Sequence, residues 1–165
     1  MSNLEYKKFR VRSPVKSFRD LEVYQVTVIL SAELFKLSIP AKYKKNVSLM
    51  NEVSQLQDVS KSIPRLIVES YGDKFSSLDL AGQKLEQAIQ NINGIVMKID
   101  FLNAIVEENV LRENLLEISK KYQRIKIKIL NLKRAWYRVF GDNPLKYGEK
   151  NQNQKNFYRN KWQKK

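Results

Sequence analysis

The sequence predicts an all-α fold, an antiparallel up-down four-helix bundle. Three observations predict it. Apolar residues recur at helical spacing in four successive segments between residues 17 and 140, two of those segments hold an unbroken heptad, and the breaks between segments are short. No G-x-G motif or alternating strand pattern supports an α/β fold, and no internal repeat is present. The chain divides into a basic arm (1–16), the bundle (17–140) and a basic, aromatic tail (141–165).

The arm ends near Pro14. Tyr6 and Phe9 alternate with Lys7, Lys8, Arg10 and Arg12, the pattern of a half-buried strand or of an extended segment lying on a partner. Ser17 opens the first helix, with Asp20 three residues on to complete a cap. Its apolar row is Leu21, Tyr24, Val28, Ala32 and Phe35, widened by Val26, Ile29 and Leu30. Pro40 ends it, and 41–45 reads as a basic loop.

The second helix starts near Asn46 or Ser48 and keeps Leu49, Val53, Leu56, Ser60, Ile63 and Ile67 on one face. Pro64 deletes one backbone hydrogen bond inside this pattern, so a kink or a new segment is expected there. Gly72 and Asp73 mark the stop. The third helix begins at Ser76 or Ser77. Its heptad runs Leu78, Ala81, Leu85, Ala88, Ile92, Ile95, Ile99, Leu102 and Val106, with Ala81 and Ala88 small enough for a neighbour to come close. Gly94 costs about 1 kcal/mol relative to Ala, which close packing or a bend would offset.

Residues 107–109 make the next turn, with Asn109 as cap. The fourth helix then carries an unbroken seam: Leu111, Leu115, Ile118, Tyr122, Ile125, Ile129, Leu132, Trp136 and Val139. Beside the seam lies a second row that includes Leu116, Ile127, Leu130 and Tyr137. A monomeric bundle rarely needs both rows, so these four are the candidate oligomer interface. Gly141 to Pro144 breaks the helix, and in the tail Tyr147, Phe157, Tyr158 and Trp162 interleave with basic residues.

The net charge is +14, and its placement is uneven. The arm carries +4, residues 17–110 carry −2, residues 111–140 carry +7 and the tail +5. Segregated positive charge points to a polyanion partner. The candidate nucleic-acid contacts are Lys120, Lys121, Arg124, Lys128, Arg134 and Arg138 on the last helix, and Lys155, Phe157, Tyr158, Arg159, Lys161 and Trp162 in the tail, where aromatic rings would stack on bases.

The chain has no Cys and no His, which removes disulfides, thiol nucleophiles, imidazole bases and the usual zinc sites. No cofactor and no metal is expected. Glu113 and Glu117 lie one turn apart, but a di-iron bundle wants Glu-x-x-His pairs. Glu107 and Glu108 suit a helix start. Glu69 is expected to pair with a Lys or Arg across the bundle. Tyr24, Tyr122 and Trp136 read as core aromatics. There is no apolar run near the ~20 residues a membrane span needs, and no signal-peptide core at the N-terminus. A cytoplasmic protein without a membrane partner is the expectation.

Two stretches carry a resemblance. Residues 17–25, SFRDLEVYQ, resemble the F-x-D-L-x-V-W-Q opening of a bacterial four-helix-bundle family, and residues 62–72, SIPRLIVESYG, look like its S-I-P-x-N-I-A-E-G-x-G signature. That family is encoded by intervening sequences in some 23S ribosomal RNA genes. It is similar in fold to the accessory variability protein of diversity-generating retroelements, a basic pentamer that binds nucleic acid and a reverse transcriptase. The resemblance covers about residues 17–140. Leu66 stands where the family has Asn, Val68 where it has Ala and Ser70 where it has Gly; Gln83 and Gln87 replace Gly and Glu of its A-x-G-S-L-x-E segment. It carries no catalytic residues over. It implies a ring, most simply a pentamer, and a reverse transcriptase as partner. The resulting expectation is a non-enzymatic, nucleic-acid-binding homo-oligomer serving a ribonucleoprotein or reverse-transcriptase complex. The alternative is a structural oligomer whose basic face binds an acidic protein.

Overall fold

The computed structural model describes residues 15–141, so the arm residues up to Pro14 and the tail residues Tyr147, Lys155, Phe157, Tyr158, Arg159, Lys161 and Trp162 lie outside the described residues. The described residues are all-α. A 3-10 turn, Phe18–Asp20, precedes α1 (Glu22–Phe35), α2 (Ala41–Lys44), α3 (Val47–Asp73), α4 (Leu78–Ile105) and α5 (Asn109–Phe140). With 32 residues, α5 spans about 48 Å at 1.5 Å per residue.

Side chains cap most of these starts. Ser17 Oγ accepts from Arg19 N at 3.2 Å, while Asp20 Oδ2 accepts from Ser17 N at 2.9 Å. Asn46 accepts from Leu49 N, and Ser77 from Leu80 N. The cap of α5 is Glu108 rather than Asn109: its carboxylate accepts from Leu111 N at 2.9 Å and places negative charge at the positive end of the dipole.

Each long helix touches two others. α3 packs on α1 and α4, and α5 packs on α4 and α1; among the described residues the α1 and α4 backbones stay apart, as do those of α3 and α5, which meet only through side chains such as Tyr71 and Trp136. The core lies between the four. Leu56, Ile63 and Ile67 of α3, Leu85, Ile92, Ile95 and Ile99 of α4, and Tyr122 and Ile129 of α5 are all fully buried. Cross-helix polar pairs mark the α3–α4 alignment: Glu52 with Lys98 at 3.0 Å, Ser62 with Asn91 at 2.7 Å and Asp73 with Lys84 at 2.7 Å.

Several expectations need correction. The first helix is shorter than Pro40 implied. Leu21 interrupts it with extended backbone (φ −74°, ψ 120°) after the 3-10 turn, and α1 ends at Phe35. The buried residues of α1 are Val23, Thr27, Leu30, Ser31 and Leu34, while Val28, Ile29, Ala32 and Phe35 are exposed. Polar residues hold core positions because their hydroxyls meet backbone carbonyls: Thr27 Oγ1 donates to Val23 O at 2.7 Å, and Ser31 Oγ lies within reach of Thr27 O in its own helix and of Ser60 O in α3.

Residues 41–45 are not a plain loop. Ala41–Lys44 forms one helical turn, and the Tyr43 hydroxyl accepts from Glu107 N at 2.9 Å, tying the segment to the α4–α5 turn. Pro64 starts no new segment, since α3 is continuous through it. α3 does stop at Gly72–Asp73, but it closes on a right-handed Lys74 (φ −58°, ψ −22°) rather than on a left-handed glycine. Gly94 has open space around it, so close packing does not explain it. The close approach occurs at Gly82 instead, where a Cβ would strike the Tyr137 ring. The α5 seam is buried from Leu111 to Ile129 and again at Trp136, with Leu132 half-buried, but Val139 is 72% exposed. α1 begins at Glu22, whose carboxylate meets Lys128, so α1 does not reach the level of Val139.

Candidate nucleic-acid interface

The polar surface of α5 sorts into three lines. Facing α1, Lys121 bonds both carboxylate oxygens of Glu33 at 3.0 Å, and Lys128 bonds Glu22. Facing α4, Lys126 donates to Asn93 Oδ1 at 3.1 Å and Lys133 to Glu86 at 3.1 Å. Between them, pointing away from the core, runs a third line: Lys120, Arg124, Ile127, Asn131, Arg134 and Arg138. The steps are 4, 3, 4, 3 and 4, and every one of the six is exposed.

This division sharpens the sequence reading. Lys121 and Lys128 already face a carboxylate within the chain. Such exposed pairs are individually weak, about 0–1 kcal/mol, yet they neutralise charge that the sequence counted as available. Lys120, Arg124, Arg134 and Arg138 have no carboxylate within 4.0 Å among the described residues. The outer line spans about 27 Å from position 120 to 138 at 1.5 Å per residue. Three of its four cations are arginines, whose planar forks suit bidentate contact with phosphate oxygens. Asn131 is a member the sequence reading missed, although it stands seven residues from both Arg124 and Arg138. Together Asn131, Arg134, Tyr137 and Arg138 line one shallow depression of about 620 Å³.

The proposed interface residues separate as well. Leu116, Ile127 and Leu130 are 45%, 59% and 36% exposed. Ile127 and Leu130 share a groove of about 250 Å³ between α4 and α5 with Glu86, Ile89, Gln90, Lys126 and Lys133. Tyr137 is different. Its ring fills the space over Gly82, its hydroxyl lies 3.4 Å from Asp79 Oδ1, and Lys133 Nζ sits 6.0 Å from the ring centre. Burial, and then the Asp79 charge, push that hydroxyl above the ordinary tyrosine pKa. It is a contact within the chain before it is anything else. On α4, Met97, Phe101 and Ile105 recur at every fourth position and are exposed too.

Glu69 and Glu108 have structural partners, and the Glu107, Glu113 and Glu117 carboxylates pair with no cation among the described residues. Glu69 lies 3.4 Å from Lys84 and 3.7 Å from Arg65, and Glu108 is a helix cap. Tyr122 and Trp136 are core residues, with Tyr24 half-buried against the core. Among the described residues no cluster of three or more Asp or Glu side chains is placed to hold a metal ion, and no helix is long and apolar enough to cross a membrane. Comparison with known protein families, with curated proteins and with solved structures finds no match.

Proposed function

We propose that this chain is a non-enzymatic, nucleic-acid-binding bundle that works in the cytoplasm as a homo-oligomer, an accessory subunit of a ribonucleoprotein or reverse-transcriptase complex like that of the retroelement proteins it resembles. The observation that carries the reading is the outer line of α5. Four cations without carboxylate partners stand on one rigid helix, in a chain of net charge +14. A surface of this kind binds the phosphate backbone by releasing counterions and has little preference for sequence.

The bundle arrangement is part of the proposal. Antiparallel α3 and α4 are supported by the pairs Glu52–Lys98, Ser62–Asn91 and Asp73–Lys84, in which one number rises as the other falls. The same trend joins Lys126 with Asn93 and Lys133 with Glu86 across α4 and α5. The oligomer, which we take to be a pentameric ring, is supported by Ile127 and Leu130, exposed side by side at the α4–α5 groove, and by exposed Leu116 about three turns before them. In a ring, each copy repeats the basic line.

The test is purification at low salt followed by a high-salt wash. The proposal expects nucleic acid to co-purify, visible in the 260/280 nm absorbance ratio, and to leave in the wash. Protein that stays clean at low salt, and that shifts no RNA or DNA at micromolar concentration, would hand the basic line to an acidic protein partner.

A further inference from the structure

One end of the molecule holds a cluster of aromatic rings that the sequence does not group. Tyr24 and Phe18 meet edge to face at 5.0 Å, Phe18 and Tyr71 at 6.4 Å, Tyr71 and Trp136 at 6.3 Å, Tyr71 and Phe75 at 5.7 Å, and Phe75 and Phe140 at 6.5 Å. The rings come from the 3-10 turn, α1, the end of α3, the α3–α4 turn and the end of α5. Lys74 sits among four of them. Its Nζ lies 3.8 Å from the ring centre of Tyr71, 4.7 Å from Phe75, 5.0 Å from Trp136 and 5.3 Å from Phe140.

Lys74 is suited to its place. It is the C-cap of α3, where the helix dipole favours a cation, and ring faces attract an ammonium group. Partial burial nevertheless lowers its pKa, and among the described residues it has no carboxylate within 4.0 Å. Packing accounts for Trp136, which is buried, and for half-buried Tyr71. It does not account for Phe75, which is 71% exposed in a turn where a polar residue would serve, or for Phe140, 44% exposed at the last position of α5. The result is an open aromatic surface with a cation at its centre. It stands at the end of the helix that carries the outer basic line, two residues beyond Arg138 and about one helix diameter, 10–12 Å, around from it.

We propose that this surface is a stacking platform for an unpaired nucleotide of single-stranded RNA, with Phe75 and Phe140 offering ring surface to the base and Lys74 meeting the adjoining phosphate. The platform rests on the nucleic-acid reading of α5, and it adds the preferred form of the ligand. Bases in a duplex have their faces covered by neighbours, whereas unpaired bases present a π-face that stacks on aromatic side chains with little regard to sequence. A strand leaving the outer line at Arg138 would reach this surface by passing around the C-terminal end of α5.

The test uses the full chain with two fluorescein-labelled probes in anisotropy titrations: an unstructured oligouridine and an RNA duplex of the same length. The main variant is Phe75→Ala, chosen because an exposed turn residue can be changed without emptying the core. The platform predicts that Phe75→Ala weakens single-strand binding about tenfold, the effect of removing one stacked base, and leaves duplex binding within about twofold. It also predicts that Phe75→Trp retains single-strand affinity. Lys74→Gln lowers the salt dependence of single-strand binding by about 0.7, one phosphate contact on a single strand. Circular dichroism confirms that each variant is folded. Phe75→Ala that binds oligouridine as the parent does, or that weakens both probes equally, overturns the platform while leaving the basic line intact. Failure of the unmodified chain to bind either probe overturns the proposed function and the platform with it.

Discussion

Ser31 Oγ donates to the Ser60 carbonyl at 2.8 Å, and Ser60 is the residue four before Pro64 in α3. In an unbroken helix that carbonyl would accept from the backbone N–H at position 64, which proline lacks. A side chain from α1 therefore takes over the hydrogen bond that Pro64 deletes. Ser31 Oγ also lies 3.0 Å from Thr27 O, but that oxygen has the Ser31 backbone N–H as its helical donor. The nearer, otherwise unserved acceptor is Ser60.

A coupling between the two sites is the expected consequence. Ser31→Ala leaves the Ser60 carbonyl buried without this donor and should cost about 1–3 kcal/mol. Pro64→Ala restores a helical donor, so helicity and assembly stay intact. In the double variant most of the Ser31→Ala cost should disappear. Urea melts of the four proteins give the cycle. Simple additivity would mean that the Ser31 hydroxyl is not the substitute for the missing N–H.

Tyr122 should control alkaline stability. Its hydroxyl is fully buried, with no partner in hydrogen-bond geometry among the described residues. Burial, opposed by the Ser31 and Ser60 hydroxyls, pushes it from 10.0 to about 12. The folded-state pKa is raised, so the neutral form is favoured in the fold. Stability is complete below pH 10 and is lost as pH rises from 10 towards 12, by about 2–3 kcal/mol. Tyr122→Phe removes the ionising group. It should change stability at pH 7 by less than about 1 kcal/mol, since no well-made bond is lost, and should flatten the decline between pH 10 and 12. Thermal melts across that range decide; an unchanged decline would assign it to other groups.

The oligomer prediction concerns Ile127 and Leu130. Changing them to Glu and Lys should give folded monomers in sedimentation, because both are exposed and neither closes the core. Tyr137→Ala, by contrast, should lower stability, since its ring packs on Gly82. An unmodified chain that sediments as a monomer at micromolar concentration contradicts the ring.

Deleting residues 145–165 should weaken binding to single strands more than to duplex, because Phe157, Tyr158 and Trp162 would stack on bases while the outer line of α5 would not. Equal loss on both probes would assign the tail to charge alone.

Much of the fold was legible because α3, α4 and α5 place large aliphatic residues at heptad positions, and few other arrangements satisfy such rows. The face of α1 was not. Thr27 and Ser31 read as polar, and Val28, Ile29 and Phe35 read as core. The choice is made by back-bonded hydroxyls and by the Ser60 carbonyl, 29 positions away. The candidate site shows the same limit. Nine cations on α5 can be counted from its sequence, but which ones are neutralised depends on Glu22 and Glu33, 106 and 88 positions away. Gathering Phe18, Tyr71, Phe75, Trp136 and Phe140 around one end also required the tertiary fold.

The most direct test of the account is the salt dependence of RNA-duplex binding by the unmodified chain and by a variant with Arg124, Arg134 and Arg138 changed to Gln. Removing one arginine–phosphate pairing should reduce the slope of log K against log salt concentration by about 0.9, taking the value for duplex DNA, so replacing three exposed arginines should lower it by about two to three and weaken binding strongly at low salt. Changing Lys121 and Lys128, which already face Glu33 and Glu22, should lower it less than changing any two of the arginines. A slope that is unchanged in the triple variant, or that falls more on replacing the paired lysines, would contradict the assignment of the outer line of α5 as the nucleic-acid interface.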